Sequence, residues 1–356
     1  MTHKIINKNN MNKIILATLS AILFMGTSVL TSCNKDDDGT SLPNFSTTKN
    51  YSNIPHFSSI EEVEVVVNTA ISFDTISDLI IFEKEQGRRS IGVISDVFYE
   101  EIDKTLFTDK NDVWAYVEKY EDLLDTTMIN DEMCVLPKFF NTPYRYVANS
   151  NGMFSVGEMY YKLFKTGIVV TTENFVDKLS QITDEDLENL DTAIFRYVPD
   201  EEKTIDSKEC MTKWKQSNNP TSSKDRIHIE IISNTFPAES FLNNGIGDFI
   251  ITRVKVYNLH KFLGVWWTSR HNLSCKGTIK FHIKTKNCSD WEYVERSFER
   301  HQKANTMWIG VYEQLCYWDC LNAWDIIFNR YNKFYHYDGF SIDAWYPGHA
   351  VEHFSK

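Results

Sequence analysis

Two periodicities divide the chain. Between residues 57 and 125, apolar positions recur every three or four residues, the spacing that lines them along one face of an α-helix. "FSSIEEVEVVVNTAISF" opens with Ser58 and Ser59, each followed three residues later by a glutamate, Glu61 and Glu62. In such a box the hydroxyl and the carboxylate satisfy free N–H groups of the first helical turn. "DTISDLIIFEKEQG" and "NDVWAYVEKYEDLLD" repeat the amphipathic pattern, the second with Trp114, Val117, Leu123 and Leu124 as expected core residues. "YRYVANSNGMFSVGEMYYKLF" changes to period two. Asn151-Gly152 at its centre is expected to supply the positive φ angles of a tight hairpin turn.

After Arg226, alternation takes over. "RIHIEIIS" puts Ile227, Ile229 and Ile231 on one face and Arg226, His228 and Glu230 on the other, which is expected to be wet. "TIKFHIKTK" does the same with Ile279, Phe281 and Ile283 against Lys280, His282 and Lys284. "DFIITRVKVYNL" and "TMWIGVY" also read as strands, and "CLNAWDIIFNRYNKF" as the one helical interruption. The pattern predicts an α+β chain: a helical segment plus a β-hairpin in the N-terminal half, and an antiparallel β-sandwich or open-barrel-like C-terminal half. Between them "PDEEKTIDSKECMTKWKQSNNPTSSKD" is polar and aperiodic, and 201–225 is expected to be a linker or long loop between a 56–200 domain and a 226–356 domain.

Composition sharpens that division. From Asn34 to Asp225 acidic residues outnumber basic ones by 17, whereas from Arg226 to Lys356 basic residues exceed acidic ones by 2. An acidic front half without a clustered basic face argues against a nucleic-acid partner. Seven of the nine tryptophans lie after Arg226.

The first 32 residues have the parts of a secretion signal. Lys4, Lys8 and Lys13 precede the run Ile14 to Leu30, which at 17 residues is short for a membrane-spanning helix of about 20. The chain offers two starts, Met1 and Met11, since "MNKIILATLSAILF" is a complete signal by itself. The run ends in Leu30-Thr31-Ser32-Cys33, which resembles the lipobox of bacterial lipoproteins. The resemblance implies cleavage before Cys33, lipid on its sulfur, and membrane attachment through that lipid. "NKDDDGTS" behind it is similar to the acidic export tag of Bacteroidetes surface lipoproteins, which implies an outer-membrane anchor facing the exterior, with 33–55 as a polar tether. "FSSIEE", "FEKEQGRRS" and "YRYVANSNG…VGEMYYKLF" resemble uncharacterised lipoproteins of gut Bacteroides, a domain-of-unknown-function family, over roughly residues 55 to 170. Phe82 stands where a tryptophan of the second helix is expected, and the resemblance transfers no catalytic residue.

Candidate chemistry is sparse. "HAVEH" fits the H-x-x-E-H zinc motif through His349, Glu352 and His353, but only three residues follow it. Six cysteines remain beside Cys33, and Cys275, Cys288, Cys316 and Cys320 lie close enough in sequence to staple neighbouring strands, with free thiols as the alternative. A Cys-His hydrolase using Cys320 and His336 lacks a small-residue setting, and no phosphate-binding glycine loop occurs, so no cofactor is expected. The aromatic tract "YNKFYHYDGFSIDAWYP" is the best binding feature, with Tyr335, Tyr337 and Trp345 as candidates for a glycan or protein ligand. The expected role is therefore a surface-exposed binding or adhesion module, with an exported hydrolase as the alternative.

Overall fold

A short strand, β1 (His56–Phe57), leads into four helices, each started by a polar cap. In α1 (Ile60–Ala70), the Ser59 hydroxyl accepts from Glu62 N–H at 3.4 Å. The Glu62 carboxylate in turn accepts from Ser58 N–H at 2.7 Å, one residue ahead of the usual box. Thr75 caps α2 (Ile76–Glu85), Ser90 caps α3 (Ile91–Glu100) and Asp109 caps α4 (Lys110–Lys119). These side chains satisfy N–H groups that a helix leaves open at its start. The buried stripe of α4 is Val113 and Val117, one turn apart. Trp114, expected in the core, lies off that stripe and is 39% exposed.

The computed structural model describes residues 54–129, 132–199, 213–218, 224–237, 247–284, 291–317, 335–348 and 350–355. They belong to one unit, Asn50–Lys356. The signal segment, Cys33, the tether through Asn53, and the run 318–334 lie outside the described residues.

After α4 come β2 (Leu124–Ile129) and β3 (Glu132–Pro137), then β4 (Met153–Val156), β5 (Met159–Phe164) and β6 (Gly167–Thr172). Leu124, expected on a helix, instead begins β2. The hairpin anticipated at Asn151-Gly152 forms six residues later, at Gly157-Glu158. Gly157, at φ +54, turns the chain between β4 and β5, while Gly152, at φ +73, closes the loop entering β4. A short helix, α5 (Val176–Gln181), precedes β7 (Arg196–Pro199). One sheet has the order β1-β4-β5-β6-β7, antiparallel except for β1 against β4. It packs on α1 and α3 through Val63, Val67, Ile91, Phe154, Tyr161 and Val170.

The remaining strands are β8 (Lys213–Asn218), β9 (Asp225–Pro237), β10 (Gly247–Phe262), β11 (Val265–Thr268), β12 (His271–Lys284), β13 (Trp291–Ala304), β14 (Thr306–Tyr317), β15 (Tyr335–Trp345) and β16 (Glu352–Ser355). The second sheet has the order β2-β3-β11-β10-β9-β8, with β14 pairing alongside β10. This sheet crosses the boundary expected at 201–225. Cys134 and Val135 of β3 pair in parallel with Trp266 and Trp267 of β11, and β8 lies within the expected linker. The third sheet has the order β13-β12-β15-β16.

These last two sheets face each other as a sandwich, and among the described residues neither closes into a barrel. Ile227, Ile229, Ile231, Val254 and Val256 of the seven-stranded sheet meet Leu273, Ile279, Phe281, Phe340 and Ile342 of the four-stranded one. Alternation puts these residues on the facing surfaces, and removing their apolar area from water drives the association. Gly277 lets β12 and β15 close together, since a Cβ there would lie 2.5 Å from the Ser341 carbonyl oxygen. The fold is thus α+β, with α1 to α3 against the back of the seven-stranded sheet, where Ile232 and Trp308 pack with Ala70, Ile71, Leu79 and Val93.

Candidate functional site

Because the inner face of the four-stranded sheet is filled with apolar residues, its alternate positions face outward. β12 presents Lys276, Thr278, Lys280 and His282, and β13 presents Tyr293, Glu295, Ser297, Glu299 and His301. β15 and β16 add Ser341, Asp343, Trp345 and His353.

Three histidines on this face are each held by a carboxylate. His282 Nδ1 lies 2.8 Å from Asp338 Oδ2, and His353 Nδ1 lies 2.8 Å from Asp343 Oδ1. His301 reaches Glu299 at 3.3 Å and the Ser274 hydroxyl at 2.8 Å. Thr278 and Ser297 share a hydroxyl–hydroxyl bond of 2.9 Å. Two rings flank this polar field. Trp345 is half-buried, with the Lys276 ammonium 5.8 Å and the His301 ring 5.9 Å from it. Tyr293 is 50% exposed, and its hydroxyl donates to Glu295 at 3.0 Å. They sit opposite Ser274 and His282 of β12, eight residues apart, roughly 26 Å at about 3.3 Å per residue.

A second concentration of polar groups lies inside, on the helix-covered face of the seven-stranded sheet. Arg253 of β10 pairs with Glu64 of α1, and Tyr144 donates to the same carboxylate at 2.6 Å. Burial, then the Glu64 charge, holds the Tyr144 hydroxyl well above its ordinary pKa, so it stays a donor. The fully buried Lys255 ammonium donates to Asn141 at 3.2 Å and lies 3.7 Å from Glu230 and 4.0 Å from the centre of the Phe140 ring. Glu230 also accepts from Tyr257 at 3.1 Å. Asp96 takes Arg145 at 2.6 Å and the Tyr146 hydroxyl at 2.8 Å. A charge taken out of water needs such partners, and these bonds tie the helical layer to the sheet.

The residues singled out in the sequence fall in different places. Trp345 sits on the outer face, while Phe340 and Tyr346 of the same tract are buried. Tyr335, His336 and Tyr337 lie on β15 opposite Ile283, His282 and Phe281, with their side chains outside the described residues. Of "HAVEH", Ala350 to His353 are not helical. Glu352 and His353 occupy successive positions of β16, which point to opposite faces of a strand. His349 lies outside the described residues, among which no group of His, Cys, Asp or Glu could hold a metal ion. Cys275 is a free thiol in the sandwich core. Cys316 is placed by its backbone on β14, opposite Asp248, and Cys288 and Cys320 lie outside the described residues. His228, expected on a wet face, is 3% exposed, with the Tyr257 ring 4.8 Å from its own and Phe140 packed on Tyr257. The polar field around Trp345 is readable only as alternation; of its three histidine–carboxylate pairs, His282–Asp338 depends on register between strands far apart in sequence, His353–Asp343 joins two neighbouring strands and His301–Glu299 lies within one strand.

No protein-family model matches the sequence, and no curated protein matches it. Among solved structures, the chain is similar to a DUF4848 family protein from Bacteroides thetaiotaomicron VPI-5482 at 13% identity and a TM-score of 0.26. That alignment covers 84% of this chain and 95% of the other. Among the described residues, no helix is long and apolar enough to cross a membrane.

Proposed function

We propose that the protein is a lipid-anchored, surface-exposed binding module that takes an extended glycan along the outer face of the four-stranded sheet. The observation that carries this reading is the composition of that face. Two exposed or half-exposed rings stand about 26 Å apart, with hydroxyls, carboxylates and imidazoles between them and no apolar centre. A sugar ring offers an apolar C–H surface for stacking on an aromatic side chain and hydroxyls for the polar groups around it. A protein partner needs a desolvated apolar or aromatic cluster at the centre of its patch, which this face lacks. The anchoring half of the proposal is supported by the apolar run ending at Cys33 and the acidic residues behind it.

Binding of soluble polysaccharides in affinity gels tests the ligand. Trp345→Ala is expected to reduce retardation, with thermal stability little changed; equal retardation of the variant overturns the assignment. Metabolic labelling with a palmitate analogue tests the anchor. Cys33→Ala is expected to lose the label and release the protein, and continued labelling overturns it.

A further inference from the structure

The three imidazoles of the outer face are not equivalent. His301 has both ring nitrogens engaged, Nδ1 with the Ser274 hydroxyl at 2.8 Å and Nε2 with Glu299 at 3.3 Å. His282 and His353 each use only Nδ1, on Asp338 and Asp343 at 2.8 Å. A carboxylate offers acceptors alone, so Nδ1 carries the proton of that bond. The neutral ring then presents a bare Nε2, which accepts. Gain of a proton turns the same atom into an N–H donor on a cation. Among the described residues neither Nε2 has a partner, and the two side chains keep 36% and 58% of their surface exposed. Beside His282 stand Asp338, the Tyr293 ring at 5.3 Å, and Lys280 paired with Glu295 at 3.9 Å. From His353 the row across the strands runs through Asp343 and Lys276 to Glu299. Around the two neutral rings, two lysines thus stand against four carboxylates, and protonation of both rings makes the balance even.

We infer that His282 and His353 set the charge class of the glycan: neutral chains at neutral pH, and chains carrying carboxylates once both rings are protonated. A sugar hydroxyl donates or accepts, so it meets either form of Nε2. A uronate carboxylate only accepts, so it is refused by the bare nitrogen and held by the N–H. His353 is level with Lys276, six residues from His282 along β12 and two strands over. That separation is roughly 22 Å, at about 3.3 Å per residue and about 4.8 Å per strand. One sugar acid cannot reach both rings, so the ligand that gains most is a polymer with repeated uronates. The selection rests on the face being a glycan site, as proposed above.

Binding of the purified full chain to polymer-coated sensor surfaces at about pH 7.5 and about pH 5.5 tests the selection. The polymers are pairs of one backbone with and without charge: polygalacturonate and its methyl ester, carboxymethyl-dextran and dextran, carboxymethylcellulose and hydroxyethylcellulose. The parent is expected to bind the neutral member of at least one pair at both pH values. It should bind the acidic partner about tenfold more tightly at the lower pH, as for two charge-assisted hydrogen bonds in solvent. In the double variant His282→Gln, His353→Gln, the ratio of acidic to neutral binding is expected to be the same at both pH values. His260→Gln removes an exposed imidazole of the other sheet, also 2.8 Å from a carboxylate, and should leave the gain intact. Circular dichroism at both pH values separates lost binding from lost folding. No gain at the lower pH, a gain that survives in the folded double variant, one that His260→Gln removes equally, or binding confined to acidic chains overturns the selection and leaves the glycan reading standing. Binding of no polymer at either pH overturns both.

Discussion

The helix-covered face of the seven-stranded sheet and the outer face of the four-stranded sheet carry much the same residue types in opposite surroundings. The first holds His228, Glu230, Arg253, Lys255 and Tyr257, all nearly out of water. The second holds His282, Glu295, Lys280 and Tyr293, largely in it. Inside, each polar group is tied to several others, because water is absent and an unmade bond is costly. Outside, pairs such as Lys280–Glu295 at 3.9 Å stand in solvent, where an ion pair adds little. The same alphabet serves cohesion on one face and is left open for a ligand on the other.

The largest effect that would break this comparison is expected at the interior. Arg253→Met leaves the Glu64 carboxylate buried beside Tyr144 and should cost about 3–5 kcal/mol in urea unfolding. A loss under about 1 kcal/mol would put that pair on the exposed side of the comparison. Next comes the close approach that keeps one side of the four-stranded sheet shut. Gly277→Ala drives a Cβ against the Ser341 carbonyl oxygen and should cost about 1–3 kcal/mol. A melting temperature equal to that of the parent would show that β12 and β15 can separate freely.

A matched histidine pair sharpens the contrast. His228→Ala should cost about 1–3 kcal/mol through the network around Glu230, and His282→Ala no more than about 0.5 kcal/mol. Equal losses in denaturant titrations would remove the distinction between the faces.

The smallest expected effect depends on pH. Burial raises the Glu83 carboxyl above its ordinary 4.5, with the bond from Ser90 N–H opposing in part. The folded state therefore holds that proton more tightly than the unfolded one. The stability this confers is full below pH 4.5 and is lost as pH rises through the folded value. Glu83→Gln keeps an acceptor for Ser90 and removes the charge. It should stabilise the protein at pH 8 relative to the parent, with the advantage shrinking at pH 4. An advantage independent of pH would trace the gain to packing.

Local signals in the chain translate well into local structure. Ser59 with Glu62 marks the start of α1, and the isoleucines at 227, 229 and 231 mark the sandwich core, since caps and alternation act within a few residues. What covers the other side of a strand is not local. "RIHIEIIS" and "TIKFHIKTK" read alike, yet only the first lies under helices contributed from more than a hundred residues earlier. Gly152 and Gly157 are equally good turn residues in the sequence, and the pairing of β4 with β5 decides between them. Glu352 and His353 are extended for a similar reason, because pairing with β15 draws out a segment whose spacing fits a helix. Trp345 was legible as an aromatic, and its outward side only through the register that buries Phe340 and Ile342.

The two buried thiols carry a last consequence. Cys134 on β3 and Cys275 on β12 both have no exposed surface, and burial raises both thiols above their ordinary pKa. Neither can meet a reagent until its own layer opens. With the other cysteines replaced by serine, each becomes a clock for a separate part of the molecule. Cys134 times the release of the β3–β11 junction, and Cys275 times the parting of the sandwich. If both label at one rate, the chain opens as a single cooperative body; if Cys134 leads, the helical side lets go first.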